Sequence, residues 1–134
     1  SSQVAVGSVI KARGISIEAY NNTGKVTDRS KNVVRMLTTL SLVENDLAPK
    51  GPVRVYIVVK DPDGNILTNE NSAGFECAGE ARTASASREV DYEGNEVTMS
   101  IYLNDLADKC VKGIYKVEAY TAMSYLGSAE TMLR

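Results

Sequence analysis

The stretch that decides the fold is residues 51–68, which read GPVRVYIVVKDPDGNILT. From residue 53 to residue 59 a valine or isoleucine occupies every second position, a period typical of a β-strand with one face against a core. The next five residues, DPDGN, contain a proline that presets φ and a glycine that tolerates positive φ. We therefore predict a strand, a tight turn, and a return strand of a hairpin that begins at Ile66 and Leu67.

Similar alternating or β-branched segments occur along the rest of the chain. They predict strands at 15–20, 33–43, 75–78, 86–92, 97–103, 114–121 and 126–133, and an extended segment at 4–12. The small and polar residues 79–85 predict a loop, and Gly127 predicts a bulge or a close backbone approach. This number and spacing of strands predicts an all-β fold, an immunoglobulin-like β-sandwich of seven to eight mostly antiparallel strands, with a closed barrel as the alternative.

Length and charge restrict the organisation and the partners. The 134 residues predict one domain over 1–134, and an opening without Met or a signal peptide indicates a mature or trimmed piece of a longer protein. No run of about 18 apolar residues occurs, so we expect no membrane insertion by this segment. Lys and Arg total 15 against 17 Asp and Glu, a net charge of −2, and we expect no nucleic-acid partner.

The residue types needed for several common mechanisms are missing. The sequence contains no His, which excludes a Ser-His-Asp triad or a Cys-His pair within this chain. The carboxylates, which include Asp105 and Asp108, do not form a recognisable acid–base pair, and their spacing suits solvated loops and edges. We therefore expect no enzymatic activity and no cofactor.

The two cysteines are Cys77 and Cys110. A structural zinc site needs about four ligands, typically Cys or His, so the pair does not predict one. A disulfide between them and two separate buried thiols both fit the sequence, because spacing alone does not fix the geometry that a disulfide requires.

Tyrosines provide the first candidate binding surface. Tyr56, Tyr102 and Tyr120 occupy the outward phase of their predicted strands, and an exposed tyrosine face suits a protein or glycan ligand. The alternative is that these rings cover the sheet against polar neighbours. Tyr115 has the opposite phase, so we predict a core ring whose hydroxyl bonds to a nearby loop.

The turn after the central strand provides a second candidate. Asp61, Asp63 and Asn65 have the alternating spacing of oxygen ligands that opens some calcium loops. The twelfth position of such a loop is Ser72 instead of Glu, and a tight turn explains the same residues. We predict no metal site, with calcium at this turn as the alternative.

Several short motifs follow one another in a fixed order along the chain. They are 6–12 (VGSVIKA) with 14–15 (GI), 24–27 (GKVT), 44–51 (ENDLAPKG), 55–57 (VYI), 61–67 (DPDGNIL), 112–118 (KGIYKVE) and 126–127 (LG). In this order the chain resembles the C-terminal β-domain of uncharacterised Bacteroidetes coiled-coil envelope proteins, some of which are loosely labelled as chromosome-partitioning proteins. Those proteins look like an N-terminal anchor or signal, a coiled coil, and then this domain.

The resemblance implies a location in the cell envelope, on the periplasmic side, with any anchor upstream of this segment. Together with the all-β pattern it predicts a non-enzymatic interaction or structural module that has a protein partner or self-associates. The alternative is a glycan- or calcium-dependent binding module that is accessory to another domain.

Overall fold

The computed structural model describes residues 7–134. It contains nine strands and a single 3-10 turn at Ser30–Asn32. The strands are β1 (Ala12–Tyr20), β2 (Arg35–Leu42), β3 (Gly51–Lys60), β4 (Ala73–Cys77), β5 (Glu80–Ala84), β6 (Ala86–Tyr92), β7 (Val97–Leu103), β8 (Gly113–Tyr120) and β9 (Tyr125–Leu133). All their pairings are antiparallel, which confirms the all-β prediction. Residues 4–6 of the predicted extended segment lie outside the described residues, and residues 7–11 form no strand.

The strands form three sheets, in the orders β1-β2-β7, β6-β3-β8-β9 and β4-β5. The three-stranded and four-stranded sheets share one apolar core, to which β2 contributes Met36 and Leu40, β3 contributes Ile57, and β8 contributes Val117. The hairpin β4–β5 belongs to a separate, smaller cluster on the other face of the four-stranded sheet. Among the described residues, no helix has the length and apolar character that crossing a membrane requires.

The predicted loop at 79–85 is wrong, because residues 80–84 form β5 and pair with β4. The prediction was seven to eight strands, and with the unpredicted β5 the described residues contain nine. Its two connecting residues, Ala78 and Gly79, have φ of 50° and 85°, and positive φ at both positions is what a two-residue type I′ turn requires. Alanine rarely adopts positive φ, so the sequence gives little sign of this turn.

The predicted return strand at Ile66 and Leu67 is also wrong. Ile66 forms only an isolated bridge with Lys60, and the strands that pair with β3 along its length are β6 and β8. After this bridge, one further hydrogen bond connects the segment to β3, from the Leu67 N–H to the Val59 carbonyl at 2.7 Å. The polar residues that follow lack the alternation that would extend the pairing.

Tyr115 ties the loop before β8 to the core, as predicted. Its ring is buried, and its hydroxyl accepts a hydrogen bond from the Val111 N–H at 2.8 Å. Burial raises the pKa of Tyr115 to about 12. The neighbouring Cys110 is a free buried thiol in the main core, whereas Cys77 is a free buried thiol in the smaller cluster. Of the two possibilities for the cysteines, the structure therefore has the separate thiols.

Two glycines with positive φ differ in what surrounds them, so we expect different costs for adding a methyl group. An added Cβ at Gly64 meets nothing within 4 Å, whereas at Gly113 it would lie 2.7 Å from Pro62 Cγ. Gly64→Ala should cost about 1 kcal/mol from backbone strain alone. Gly113→Ala should cost about 2–4 kcal/mol, because the contact with the rigid proline ring adds to that strain. Urea unfolding measures both, and equal costs would contradict the close contact.

Tyr115 should make stability fall at alkaline pH. Because its folded-state pKa lies above the ordinary value of 10, the folded chain keeps a proton that the unfolded chain releases between about pH 10 and 12. Stability from this group is therefore complete below pH 10 and is lost as the pH rises through that window. Between about pH 10 and 12, Tyr115→Phe should therefore reduce the slope of the unfolding free energy against pH. At pH 7 the same substitution should lower the unfolding free energy by about 1 kcal/mol, because the hydrogen bond to Val111 is lost.

The matched control for that experiment is Tyr102→Phe, which removes a hydroxyl from a ring that is 53% exposed. Urea unfolding at several pH values should give this variant the slope of the unmodified chain. If Tyr115→Phe also keeps that slope, the buried hydroxyl is not the group responsible.

A buried hydroxyl on β2 should weaken the fold. Thr38 is 1% exposed, and its Oγ1 has no hydrogen-bond partner among the described residues. Thr38→Val keeps the shape and removes the unpaired group, so it should stabilise the domain by about 1 kcal/mol. The control is Thr39→Val. Thr39 Oγ1 lies 3.3 Å from Ser100 Oγ, so this substitution removes a hydrogen bond and should not stabilise the domain. If thermal or urea unfolding finds the Thr38→Val variant less stable than the Thr39→Val variant, this expectation is wrong.

Candidate functional site

The three tyrosines proposed for binding do not form one surface. Tyr56 and Tyr120 lie opposite each other on β3 and β8, on the outer face of the four-stranded sheet. Tyr102 lies on β7 in the other sheet, where its ring is 53% exposed. The outward phase was predicted correctly, but the three rings belong to two sheets. Binding through the exposed Tyr102 stays a prediction.

The hairpin β4–β5 covers the outer face of β3 and β8. Phe75 on β4 stacks on Tyr56 with ring centroids 4.3 Å apart and planes 7° apart, and it packs at a tilt against Tyr120 at 5.7 Å. The guanidinium carbon of Arg82 lies 4.8 Å from the centroid of the Tyr120 ring. Tyr120 is consequently 4% exposed, so the prediction that it forms part of an exposed tyrosine face is wrong, and a role in binding stays a prediction. Burial raises the pKa of Tyr120, Glu118 adds to this rise, and Arg82 opposes it.

The turn with the calcium-like spacing is held by its own first side chain. Asp61 Oδ1 accepts hydrogen bonds from the N–H groups of Asp63 and Asn65, both at 2.9 Å, and the Gly64 N–H donates to the Asp61 carbonyl. This geometry is an Asx turn, in which the carboxylate substitutes for a backbone acceptor. Within the described residues, no group of three or more Cys, Asp or Glu residues lies close enough to share a metal ion. Calcium at this turn is an untested alternative.

The same turn occurs once more, at the end of β1. Asn21 Oδ1 accepts hydrogen bonds from the N–H groups of Thr23 and Lys25, and the Gly24 N–H donates to the Asn21 carbonyl. In both turns the side chain at the first position bonds to the amides two and four residues later. Because an amide and a carboxylate serve equally well, the repeated geometry indicates a structural role for Asp61.

The strongest candidate site is a groove of about 430 Å³ beside the start of β3, which we call the β3 groove. Three separate segments line it, namely 8–10, 49–54 and 121–123, together with Tyr56. Its apolar wall and floor include Val9, Ile10, Val53 and Met123. The geometry suits an apolar chain segment, because concave apolar surface exposed to water is where ligands gain most from burial.

Polar side chains hold both walls of the β3 groove in place. The Asn45 amide donates to the carbonyls of Gly7 and Val9, at 2.7 and 3.2 Å, and so positions the first segment. On the opposite side, Thr121 Oγ1 accepts hydrogen bonds from the N–H groups of Met123 and Ser124, both at 3.2 Å. These bonds present Met123 on a tight turn, where its side chain is 55% exposed.

Proline and charge complete the character of the β3 groove. Pro49 and Pro52 line it without backbone N–H groups, so these positions offer shape but no amide donors. Lys50 and Arg54 also line it, are exposed, and supply two cations. The arrangement can therefore bury apolar groups and pair with carboxylates at the same time.

Sequence reasoning found Tyr56 but missed the rest of the β3 groove. Its lining comes from three segments that lie far apart in the chain, so no local pattern marks it. Two features of the sequence indicate it. Pro49 and Pro52 lie close together at the start of a strand, and Met123 lies in a turn, where an apolar side chain is seldom covered.

Comparisons with known proteins give one family and one structural likeness. The family model described as Domain of unknown function (DUF8428) matches residues 13–134. A comparison with curated proteins finds no match. Among solved structures, the chain is similar to the alkylpurine DNA glycosylase AlkC of Pseudomonas fluorescens, bound to DNA containing an abasic site analogue. That match has 18% identity and a TM-score of 0.49, and it covers 93% of this chain and 30% of the glycosylase chain.

Two expectations from the sequence are corrected by this finding, namely that the chain has no enzymatic activity and no nucleic-acid partner. The missing His excludes only mechanisms that need His, and the net charge of −2 describes the whole chain and not its local surfaces. Neither observation supports a general exclusion of enzymatic activity or of a nucleic-acid partner. At this identity and TM-score the likeness assigns neither an activity nor a ligand to the chain.

The family match covers most of the chain, from the second residue of β1 to the last residue of the sequence. It shows that the chain belongs to the DUF8428 family.

Proposed function

We propose that this domain is a protein-interaction module with an immunoglobulin-like sandwich, and that it holds an extended segment of a partner protein in the β3 groove. The single observation that carries the proposal is the β3 groove itself, which is apolar, open to solvent and held by hydrogen bonds on both sides.

Strand order supports the immunoglobulin-like assignment. In that fold, strands A, B and E share one sheet and strands C, F and G share the other, with C′ beside C in variable-type domains. The order β1-β2-β7 corresponds to A-B-E, and β6-β3-β8-β9 corresponds to C′-C-F-G. The hairpin β4–β5 is then an insertion between C and C′.

The bond made by Tyr115 supports the same assignment. In immunoglobulin-like domains, a tyrosine near the start of strand F bonds through its hydroxyl to the backbone a few residues upstream. Tyr115 lies near the start of β8, which takes the position of strand F, and it bonds to the Val111 N–H. The buried ring and its bond therefore support the proposed immunoglobulin-like arrangement.

The chemistry of the β3 groove supports a partner segment with apolar side chains next to Asp or Glu. Val53 and Met123 offer apolar contact, and Lys50 and Arg54 offer cationic partners for carboxylates. The glycan- or calcium-dependent alternative has less support. One face of the Tyr56 ring is already stacked on Phe75, and one oxygen of Asp61 is used within its own turn.

We also propose a location in the cell envelope, on the periplasmic side. This part of the proposal rests on the sequence resemblance alone, and cell fractionation with the full-length protein tests it.

Peptide selection tests the β3 groove directly. From a random peptide library, the domain should select sequences in which apolar residues flank Asp or Glu. Met123→Glu should weaken binding of the selected peptides by about thirtyfold, because truncating or charging the centre of an interface costs about 2 kcal/mol or more. Isothermal titration with one selected peptide measures this loss.

Met132→Glu is the matched control, because Met132 is 65% exposed on β9 and does not line the groove. It makes the same chemical change and should leave peptide affinity within about twofold, since surface substitutions away from an interface are near neutral. Equal weakening by both variants, or a selection that enriches no peptide, would contradict the proposed function.

A further inference from the structure

A second concave site lies at the other end of the four-stranded sheet. Four cationic side chains and one serine line a pocket of about 390 Å³: Arg29, Ser30, Lys31, Lys112 and Arg134. We call it the basic pocket. We propose that it binds a small, multiply charged oxyanion of the phosphate type, as a free solute or as the phosphate group of a small metabolite.

Backbone hydrogen bonds bring these residues together. The Ser30 N–H donates to the Arg134 carbonyl at 2.8 Å, and the Arg134 N–H donates to the Asp28 carbonyl at 2.7 Å. Lys112 immediately precedes β8, whose first residue, Gly113, pairs with Leu133 on β9. Backbone hydrogen bonds and strand pairing therefore fix the positions of the three segments that line the pocket.

Three of the four cationic side chains in the basic pocket form no salt bridge within the described part of the chain. Among the described residues, Arg134 is the member with a carboxylate partner, through a 3.0 Å bond from Nε to Asp28 Oδ2. Both side chains of that pair are mostly exposed, so water weakens the interaction. The described residues give Arg29, Lys31 and Lys112 no salt bridge. A chain with a net charge of −2 thus concentrates four cations at one concavity.

The residue types suit a tetrahedral oxyanion. Arginine presents a planar fork that matches two oxygens at once, and lysine supplies a compact charge with three donors. The Ser30 hydroxyl can donate one further hydrogen bond. A ligand with two negative charges gains from all four cations, whereas a monovalent carboxylate leaves most of their mutual repulsion in place.

The extent of the basic pocket favours a small anion over a long polyanion. Its four cations lie around a single concavity of about 390 Å³. A polyanion gains from a continuous basic stripe that follows its backbone, whereas a discrete phosphate needs only this one concavity.

Nuclear magnetic resonance titration with inorganic phosphate tests the proposal on the chain as it is. Amide signals of Ser30, Lys31, Lys112 and Gly113 should shift and saturate, with a dissociation constant of about 1 mM or below at 150 mM NaCl. Sulfate should compete with phosphate. The double variant Lys31→Gln/Lys112→Gln should weaken phosphate binding by about tenfold or more, since two of the four attractive charges are removed.

The matched control is Lys11→Gln/Arg13→Gln, which also removes two cations. These residues lie at the start of β1, whereas the chain leads to the basic pocket from the end of β1. It should retain phosphate affinity within about twofold, because charges farther than a Debye length are screened. Circular dichroism spectra of both double variants should match that of the unmodified chain, which shows that loss of binding is not loss of folding.

Three outcomes would overturn the proposal. One is a shift that stays linear in phosphate up to about 50 mM, well above the expected constant. Another is equal weakening by the two double variants. The last is tighter binding, in the same pocket, of a single-stranded oligonucleotide or of phosphatidylglycerol vesicles than of phosphate at equal phosphate concentration, which would assign the site to a polyanion.

Discussion

The structure depends on β3, a strand that is buried on both faces. Val55, Ile57 and Val59 are completely buried between the two large sheets, and Val58 on the opposite face is 4% exposed. A strand with one apolar face needs only one partner layer, but a strand with two needs a cover on each side. The three-stranded sheet supplies the first cover, and the hairpin β4–β5 supplies the second. The insertion between β3 and β6 is therefore part of the core arrangement.

The cover on the outer face also determines where the candidate site can lie. The hairpin reaches Tyr56 through the stacked ring of Phe75, and beyond that ring the start of β3 is uncovered. Tyr56 consequently has two roles, since it contacts the hairpin and forms one end of the β3 groove. Tyr56 is therefore the residue through which the small cluster and the β3 groove are in contact.

Specific contacts join the three-stranded and four-stranded sheets along both of their long sides. On one side, an added Cβ at Gly127 would lie 2.9 Å from Ile15 Cδ1, so the glycine permits the close approach of β9 to β1. On the other side, Arg88 on β6 donates to the Ser100 carbonyl on β7 at 2.8 Å, which occupies an unpaired acceptor of an edge strand. The β3 groove lies beside the last residues of β8, and the basic pocket lies beside its first residues, so the two occupy opposite ends of that strand.

The sequence by itself determined the class of the fold and much of its detail. Period-two patterns located β3 and β7 to within two residues, and the phase of Tyr115 placed its ring in the core. Gly127 marked the bulge between β8 and β9. These features are local, since alternation, turn chemistry and backbone freedom are properties of a few neighbouring residues.

Only the tertiary structure decided which strands are neighbours and which surfaces remain open. The turn at Asp61 was predicted, but its return strand was not formed, because β6 and β8 pair with β3 instead. Tyr120 has the outward phase and is nevertheless buried, since a hairpin 40 residues away in sequence lies over it. The β3 groove and the basic pocket each combine three segments that no local pattern connects. Their residues meet through long-range pairing and packing, which a reading of neighbouring positions does not contain.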